Sequence, residues 1–174
     1  MFLSISTSSG FASVSLFDYN EKLLKTITND EKNAQSKNIA VFVKQILQNI
    51  DKNNIVNIFV DIGPGSFTGI RTGVALAIGL GIFGCKISGI SALQAINYHT
   101  NTNDVFIKTI RDEYYYQNFK NNNPTADATI VSNIPEYQEV CVDSEMIGKC
   151  GIWLAKQNIF GDIMPIYVKE PNIG

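Results

Sequence analysis

The sequence is poor in the residues from which metal centres, disulfide frameworks and RNA-binding surfaces are built. A single histidine, His99, leaves no HExxH, no histidine pair and no obvious Ser-His-Asp set. Three cysteines, Cys85, Cys141 and Cys150, form an odd set without a CxxC, which argues against both a disulfide framework and a thiolate zinc site. Basic excess is missing too. Lys and Arg number 14 against 16 Asp and Glu, the net charge is -2, and the cations are scattered singly. Phosphate contacts dominate RNA affinity, so a chain that held RNA alone would carry a basic stripe; any nucleic-acid role is expected to need a partner. The uncharged run over 72–85 is short of the ~20 residues of a membrane span and favours a buried helix. The opening MFLSISTSSG has neither a basic region nor a long apolar core, so it is not read as a signal peptide, and a cytoplasmic protein is expected.

What is present is globular: 45% hydrophobic and 17% charged residues in 174, enough for one compact domain or two small lobes. Residues 2–7 read as a strand and Ser8-Ser9-Gly10 as a turn. Ala12, Val14 and Leu16 alternate with Ser13 and Ser15, the period of a half-buried strand, and 23–28 returns as a third. Then the period changes. Ile39, Phe42, Val43, Ile46, Leu47 and Ile50 form one apolar face of a helix over 39–50. A near-continuous apolar run at 55–62 suits a central covered strand. A helix over 67–83, a strand at 85–90 and a helix at 91–98 follow. The order β-β-β-α-β-α-β-α predicts an α/β fold, a mixed sheet with flanking helices. The polar stretch at 99–103 divides an N-terminal lobe, 1–98, from a smaller C-terminal one, 99–174. The second lobe offers strands at 105–110 and 114–119, an asparagine-rich turn at 121–124, a helix near 144–157 and a last strand at 166–168.

The most informative segment is Gly63-Pro64-Gly65-Ser66-Phe67-Thr68-Gly69-Ile70-Arg71-Thr72-Gly73, a strand-to-helix junction. Gly63 and Gly65 permit unusual backbone angles, Pro64 stiffens the turn and Ser66 can cap the helix. Free amides of Gly63, Gly65 and Ser66 at the helix start form a weak candidate anion site; a tight turn with no ligand is the alternative. No GxxxxGK[ST] loop fits, and Ser66 is not in a GxSxG elbow.

The helix after this turn is apolar nearly all round. Gly69, Gly73, Ala77 and Gly81 recur every four residues as a strip where another backbone can approach. Ile70, Val74, Ile78 and Ile82 form a branched ridge, and Leu76, Leu80 and Phe83 cover much of the rest. Such a helix must be covered on nearly all sides. The expectation is a partner interface that uses Ile39, Phe42, Val43 and Ile46 of the first helix. From the second it takes Phe67, Ile70, Gly73, Val74, Ala77, Ile78 and Gly81. Cover by the second lobe is the alternative.

At these residues the sequence resembles the TsaB family, also called YeaZ. Gly63 to Arg71 matches its GPGSFTGLR hallmark with Ile70 in the leucine position. Gly79-Leu80-Gly81 and Gly89-Ile90-Ser91-Ala92-Leu93 continue the match. Ile5-Ser6-Thr7-Ser8 resembles the family's I-D-T-S start, and Pro165-Ile166-Tyr167-Val168-Lys169 its P-x-Y-L-R end. Departures are Ser6 for Asp, Gln35-Ser36 for His-Ser, Lys108 opposite an Asp, and a shortened second lobe.

The resemblance implies an actin-like ATPase fold with a ribonuclease H-like core. It also implies a non-catalytic subunit that binds and activates a TsaD-type threonylcarbamoyltransferase acting on adenosine beside the tRNA anticodon. A TsaE-type ATPase is a further expected partner; the two N-terminal helices are expected to pair with two of the TsaD-type partner in a four-helix bundle, and a homodimer is expected to use similar surfaces. ATP and magnesium are expected on the partner subunits, with no cofactor on this chain.

An enzyme of the same fold, an ATPase or phosphotransferase, is the alternative, and would need acids near the phosphates. Ser6 removes one, and Asp61 is the best remaining candidate, although a capping role suits it better. A peptidase has no metal-site support. Tyr114-Tyr115-Tyr116 suits alternating burial in a strand better than base stacking. The acid pairs Glu136/Glu139 and Asp143/Glu145 read as solvated turns.

Overall fold

The computed structural model describes residues 1–29, 35–82, 84–109, 112–132, 134 and 137–168, with side chains from 38 onward in the first helix. Three strands open the chain as an antiparallel meander: β1 (Phe2–Ser6), β2 (Ser13–Phe17) and β3 (Leu23–Thr28). After α1 (Gln35–Ile46) comes β4 (Asn57–Asp61), parallel to β1. Then α2 (Phe67–Gly81) leads to β5 (Lys86–Ile90), parallel to β4. The sheet order is β3-β2-β1-β4-β5, the mixed sheet that the element order predicts.

Alternation of side chains across this sheet makes two cores. Leu3, Ile5, Val14, Leu16, Ile58 and Val60 face α1 and α2. Phe17, Phe59 and Ile90 face the opposite layer, formed by α3 (Ala92–Thr100) and α4 (Ser144–Lys156). Ser91 caps α3 by accepting from the Gln94 amide, and Asp143 caps α4 by accepting from that of Met146. In chain order a smaller antiparallel sheet separates these two helices: β6 (Asp104–Lys108), β7 (Glu113–Lys120), β8 (Asn123–Pro124) and β9 (Thr129–Ser132), with β7 central.

α4 lies beyond the polar stretch at 99–103 yet packs on β1, β2 and β4 of the first sheet. This corrects the half-buried reading of β2, whose five residues are all buried. Ser13 and Ser15 point into the α4 layer, where they meet the helix start. The Ser144 amide donates to Ser13 Oγ at 2.8 Å, and the hydroxyls of Ser15 and Ser144 lie 2.7 Å apart. Serine in alternation therefore signals here a helix docked through its N-terminus, not solvent. Gly148 and Gly151 let α4 come close: an added Cβ would stand 2.3 Å from the Phe17 ring and 2.4 Å from that of Phe59.

Other bounds shift modestly. α1 ends at Ile46, and Asn49 turns the chain with φ 66. α2 ends at Gly81, and residue 83 lies outside the described residues. The expected last strand at 166–168 is not one. Residues 159–167 run irregularly beside β5, with the Gly89 amide donating to Gly161 O and the Ile166 amide to Ile62 O.

Candidate functional site

The glycine turn joins the end of β4 to the start of α2 and rests on the β1–β2 turn. Gly63 has φ +90, open to glycine at little cost, and its bond to Pro64 is cis. Its amide donates to Asp61 Oδ1 at 2.9 Å, and its carbonyl accepts from the Ala92 amide at 2.7 Å. The Ser66 amide donates to Ser8 O at 2.8 Å, while Ser66 Oγ caps α2 by accepting from the Gly69 amide at 3.3 Å. So of the candidate anion ligands, Gly63 and Ser66 have their amides engaged within the chain. Gly65 lies so close to Ser8 that an added Cβ would be 2.5 Å from its carbonyl oxygen.

Asp61 is fully buried. Its carboxylate accepts from Ser6 Oγ at 2.9 Å, the Ser8 amide at 3.1 Å and the Gly63 amide at 2.9 Å. Burial pushes its pKa above the ordinary value, opposed by the hydrogen bonds from Ser8, Gly63 and Ser6. It ties the end of β1 to the turn after β4, and Ser6, on the neighbouring parallel strand, is one of its donors. The carboxylate is thus committed to three protein donors, beside the engaged amides of Gly63 and Ser66.

The orientation of α2 corrects the interface reading for most of its residues. Gly69, Ile70, Gly73, Val74 and Ala77 are buried against the sheet. An added Cβ on Gly69 would lie 2.0 Å from Thr7 O, and one on Gly73 2.5 Å from Thr7 Oγ1. The small-residue strip thus admits the chain's own Thr7, just past β1, and at Gly81 the Ile87 side chain of β5. Ile39, Val43 and Ile46 of α1 join the same core. Phe42, Phe67 and Gly81 are half-buried, and Ile78 is 49% exposed.

On α1 and at the end of α2, two exposed large hydrophobic residues fall outside the expected contacts. Ile82 is 84% exposed just past the end of α2, and Val41 is 49% exposed on α1. Ile82 belongs to the branched ridge, so its spacing from Ile78 was the available signal. Phe67, Arg71, Ile78 and Ile82 stand at i, i+4, i+11 and i+15, one outward stripe of a single helix.

The remaining candidates are apart from this stripe. His99 is exposed near the end of α3. Tyr115 joins the core, whereas Tyr114 and Tyr116 lie on the other face of β7 with Phe106 and Tyr137, and Tyr116 donates to Asp104 Oδ1 at 2.7 Å. Asp143 caps α4, and Glu145 pairs with Lys149 at 2.6 Å. Glu136, Arg111, Lys169 and the side chains of Gln35 and Ser36 lie outside the described residues. Cys150 is buried, its thiol pushed up to about 12 by desolvation. Among the described residues no group of three His, Cys, Asp or Glu could hold a metal, and no helix is long and apolar enough to cross a membrane.

The mixed sheet, the glycine turn on β1–β2 and the helices on both faces define a ribonuclease H-like domain of the actin-like kind. Its fold is that of YeaZ from Pseudomonas aeruginosa: TM-score 0.72 and 15% identity, over 95% of this chain and 98% of that one. An uncharacterized protein described as similar to peptidase YeaZ from the same organism aligns at TM-score 0.79 and 14% identity, over 97% and 99%. RuvC from Thermus thermophilus aligns at TM-score 0.53 and 8% identity, over 92% and 98%. No curated protein matches the sequence significantly.

The profile of the family "TsaD: tRNA N6-adenosine threonylcarbamoyltransferase" matches residues 22–134, more than half of the chain. The chain belongs to this family, as a TsaB (YeaZ)-type protein connected with tRNA modification.

Proposed function

We propose that this chain is a non-catalytic subunit that binds a TsaD-type threonylcarbamoyltransferase and activates it for N6-threonylcarbamoyladenosine formation beside the tRNA anticodon. The observation that carries the reading is the outward stripe of α2, with Ile78 and Ile82 at 49% and 84% exposure in a helix otherwise anchored in the core. Exposed apolar residues grouped on one rigid element are a common mark of protein interfaces. Val41 on α1 adds to the same class of surface. A homodimer through α1 and α2 would use this surface when the partner is absent. A TsaE-type ATPase joins the assembly, tRNA is met through the complex, and the cytoplasm is its place. ATP and magnesium are assigned to the partner subunits, a reading supported by the engaged amides of Gly63 and Ser66 and the enclosed Asp61 carboxylate.

The test is to mix the chain with its cognate TsaD-type protein at micromolar concentration and size the product by light scattering. A merged species is expected, and two species that never merge overturn the reading. Ile82→Glu should weaken the complex about 30-fold or more, the scale of an interface hot spot. Its melting temperature should stay unchanged, because the residue is solvent-facing. Micromolar binding of Mg-ATP to the isolated chain, with phosphate release, would instead favour an ATPase of the same fold.

A further inference from the structure

Arg71 is the one charged residue on the outward stripe of α2, and it is held in place. Its guanidinium carbon lies 3.8 Å from the centre of the Phe67 ring one turn earlier. Its Nε donates to Tyr167 Oη at 3.4 Å, and the Tyr167 ring packs on Phe67 with centroids 5.0 Å apart. Tyr167 is positioned in turn, since the amide of its neighbour Ile166 donates to Ile62 O. The arginine is thus fixed from two sides, by its own helix and by the segment beside β5. Fixing a guanidinium removes much of the entropy it would otherwise lose on pairing.

No acid among the described residues neutralises its charge. Among the described residues Arg71 is in no ion pair, and the first turn of α2 carries no acid. The terminal nitrogens, which supply the paired donors of a guanidinium fork, have no partner among the described residues. A clamped fork with no acid paired to it among the described residues, in line with Ile78 and Ile82, is complementary to one kind of contact surface: an apolar one with a carboxylate at its edge.

We infer that Arg71 is the anchor that receives an Asp or Glu side chain of the TsaD-type partner, while Ile78 and Ile82 pack on apolar residues next to that acid. The inference rests on the proposed function and adds to it the chemistry the partner must present. The carboxylate fixes register along α2, because an apolar stripe alone allows sliding whereas a bidentate pair does not. Tyr167 and Phe67 are positioning residues for the guanidinium.

The experiment is calorimetric titration of the cognate TsaD-type protein into the wild-type chain, Arg71→Gln, Arg71→Lys and Ile82→Glu, at about 0.05 M and about 0.5 M salt, which shortens the Debye length severalfold. Circular dichroism confirms the fold of each variant. Arg71→Gln should weaken binding at least about 10-fold at low salt and lose most of the salt dependence of the wild type. Arg71→Lys should restore the salt dependence but less than the full affinity, since an ammonium does not reproduce the fork. If Ile82→Glu abolishes the complex while Arg71→Gln binds like the wild type, the carboxylate anchor is wrong and the proposed function stands. If wild-type chain and partner never associate, the proposed function itself fails. If Arg71→Gln leaves partner binding intact and instead lowers the affinity of the assembled complex for tRNA, the arginine meets phosphate and the inference is overturned.

Discussion

Gly69→Val is expected to lower the melting temperature by about 10 °C or more, because the site has room for a hydrogen and nothing larger. The ideal Cβ at this position lies 2.0 Å from the carbonyl oxygen of Thr7 and 3.0 Å from its carbon. Both are backbone atoms of a fully buried residue next to β1, so no rotamer change relieves the clash. Either α2 lifts from the sheet or β1 shifts out of register with β4. Overpacked cores lose ~1–3 kcal/mol and occasionally more. A backbone obstacle belongs at the upper end, and each kcal/mol is worth roughly 2–4 °C in a domain of this size. Gly79→Ala is the matched control on the same helix. It is exposed, nothing lies within 4 Å of its added Cβ, and alanine gains up to ~1 kcal/mol of helix propensity over glycine. Circular dichroism melts of the two variants should move in opposite directions. Equal shifts would mean that α2 is not seated as described.

Asp61→Ala should cost about 4 kcal/mol. The substitution leaves the Ser6 hydroxyl and the amides of Ser8 and Gly63 buried without their acceptor. Each such orphan is worth roughly 1–3 kcal/mol, and local relaxation reduces the sum. Urea unfolding measures the loss. The pH dependence tests the ionisation separately. Burial raises the folded-state pKa of Asp61. Between the unfolded value near ~3.9 and the raised one, the folded chain keeps a proton that the unfolded chain has released. Asp61 therefore stabilises most at the acid end, and its contribution falls as pH climbs through that window. The wild-type minus Asp61→Asn stability difference should decrease from about pH 4 upward and then level off. A difference that grows with pH would show that the three donors outweigh desolvation.

The sequence was legible wherever one period dominated. The apolar face 39, 42, 43, 46 marks α1, and the run over 55–62 marks β4, because a single layer decides the burial of each. It was misleading where two layers met. Ser13 and Ser15 alternate with Val14 and Leu16 as if facing water, yet they receive the start of α4 from more than a hundred residues away. Gly69 and Gly73 form a strip whose spacing shows that something approaches closely and cannot show what. The answer, Thr7, depends on how the chain returns to β1. The sequence offers Asp61 as the best remaining acid beside the glycine turn and favours a capping or turn role for it, but its bond to the Ser6 hydroxyl is invisible there because it needs the parallel pairing of β1 and β4. The stripe of Phe67, Arg71, Ile78 and Ile82 could have been found from its 3.6-residue period once the buried face was known.

The return of α4 has a consequence for synthesis. On the ribosome, β1 and β2 emerge well before α4, the helix that covers Ser4, Phe17 and Phe59. Until it arrives, the part of the first sheet beneath α4 is bare, and the nascent strands must wait or be held by a chaperone. A stalled chain ending before Ser144 should be cut readily by a protease, and one extending past Lys156 and clear of the exit tunnel should resist it.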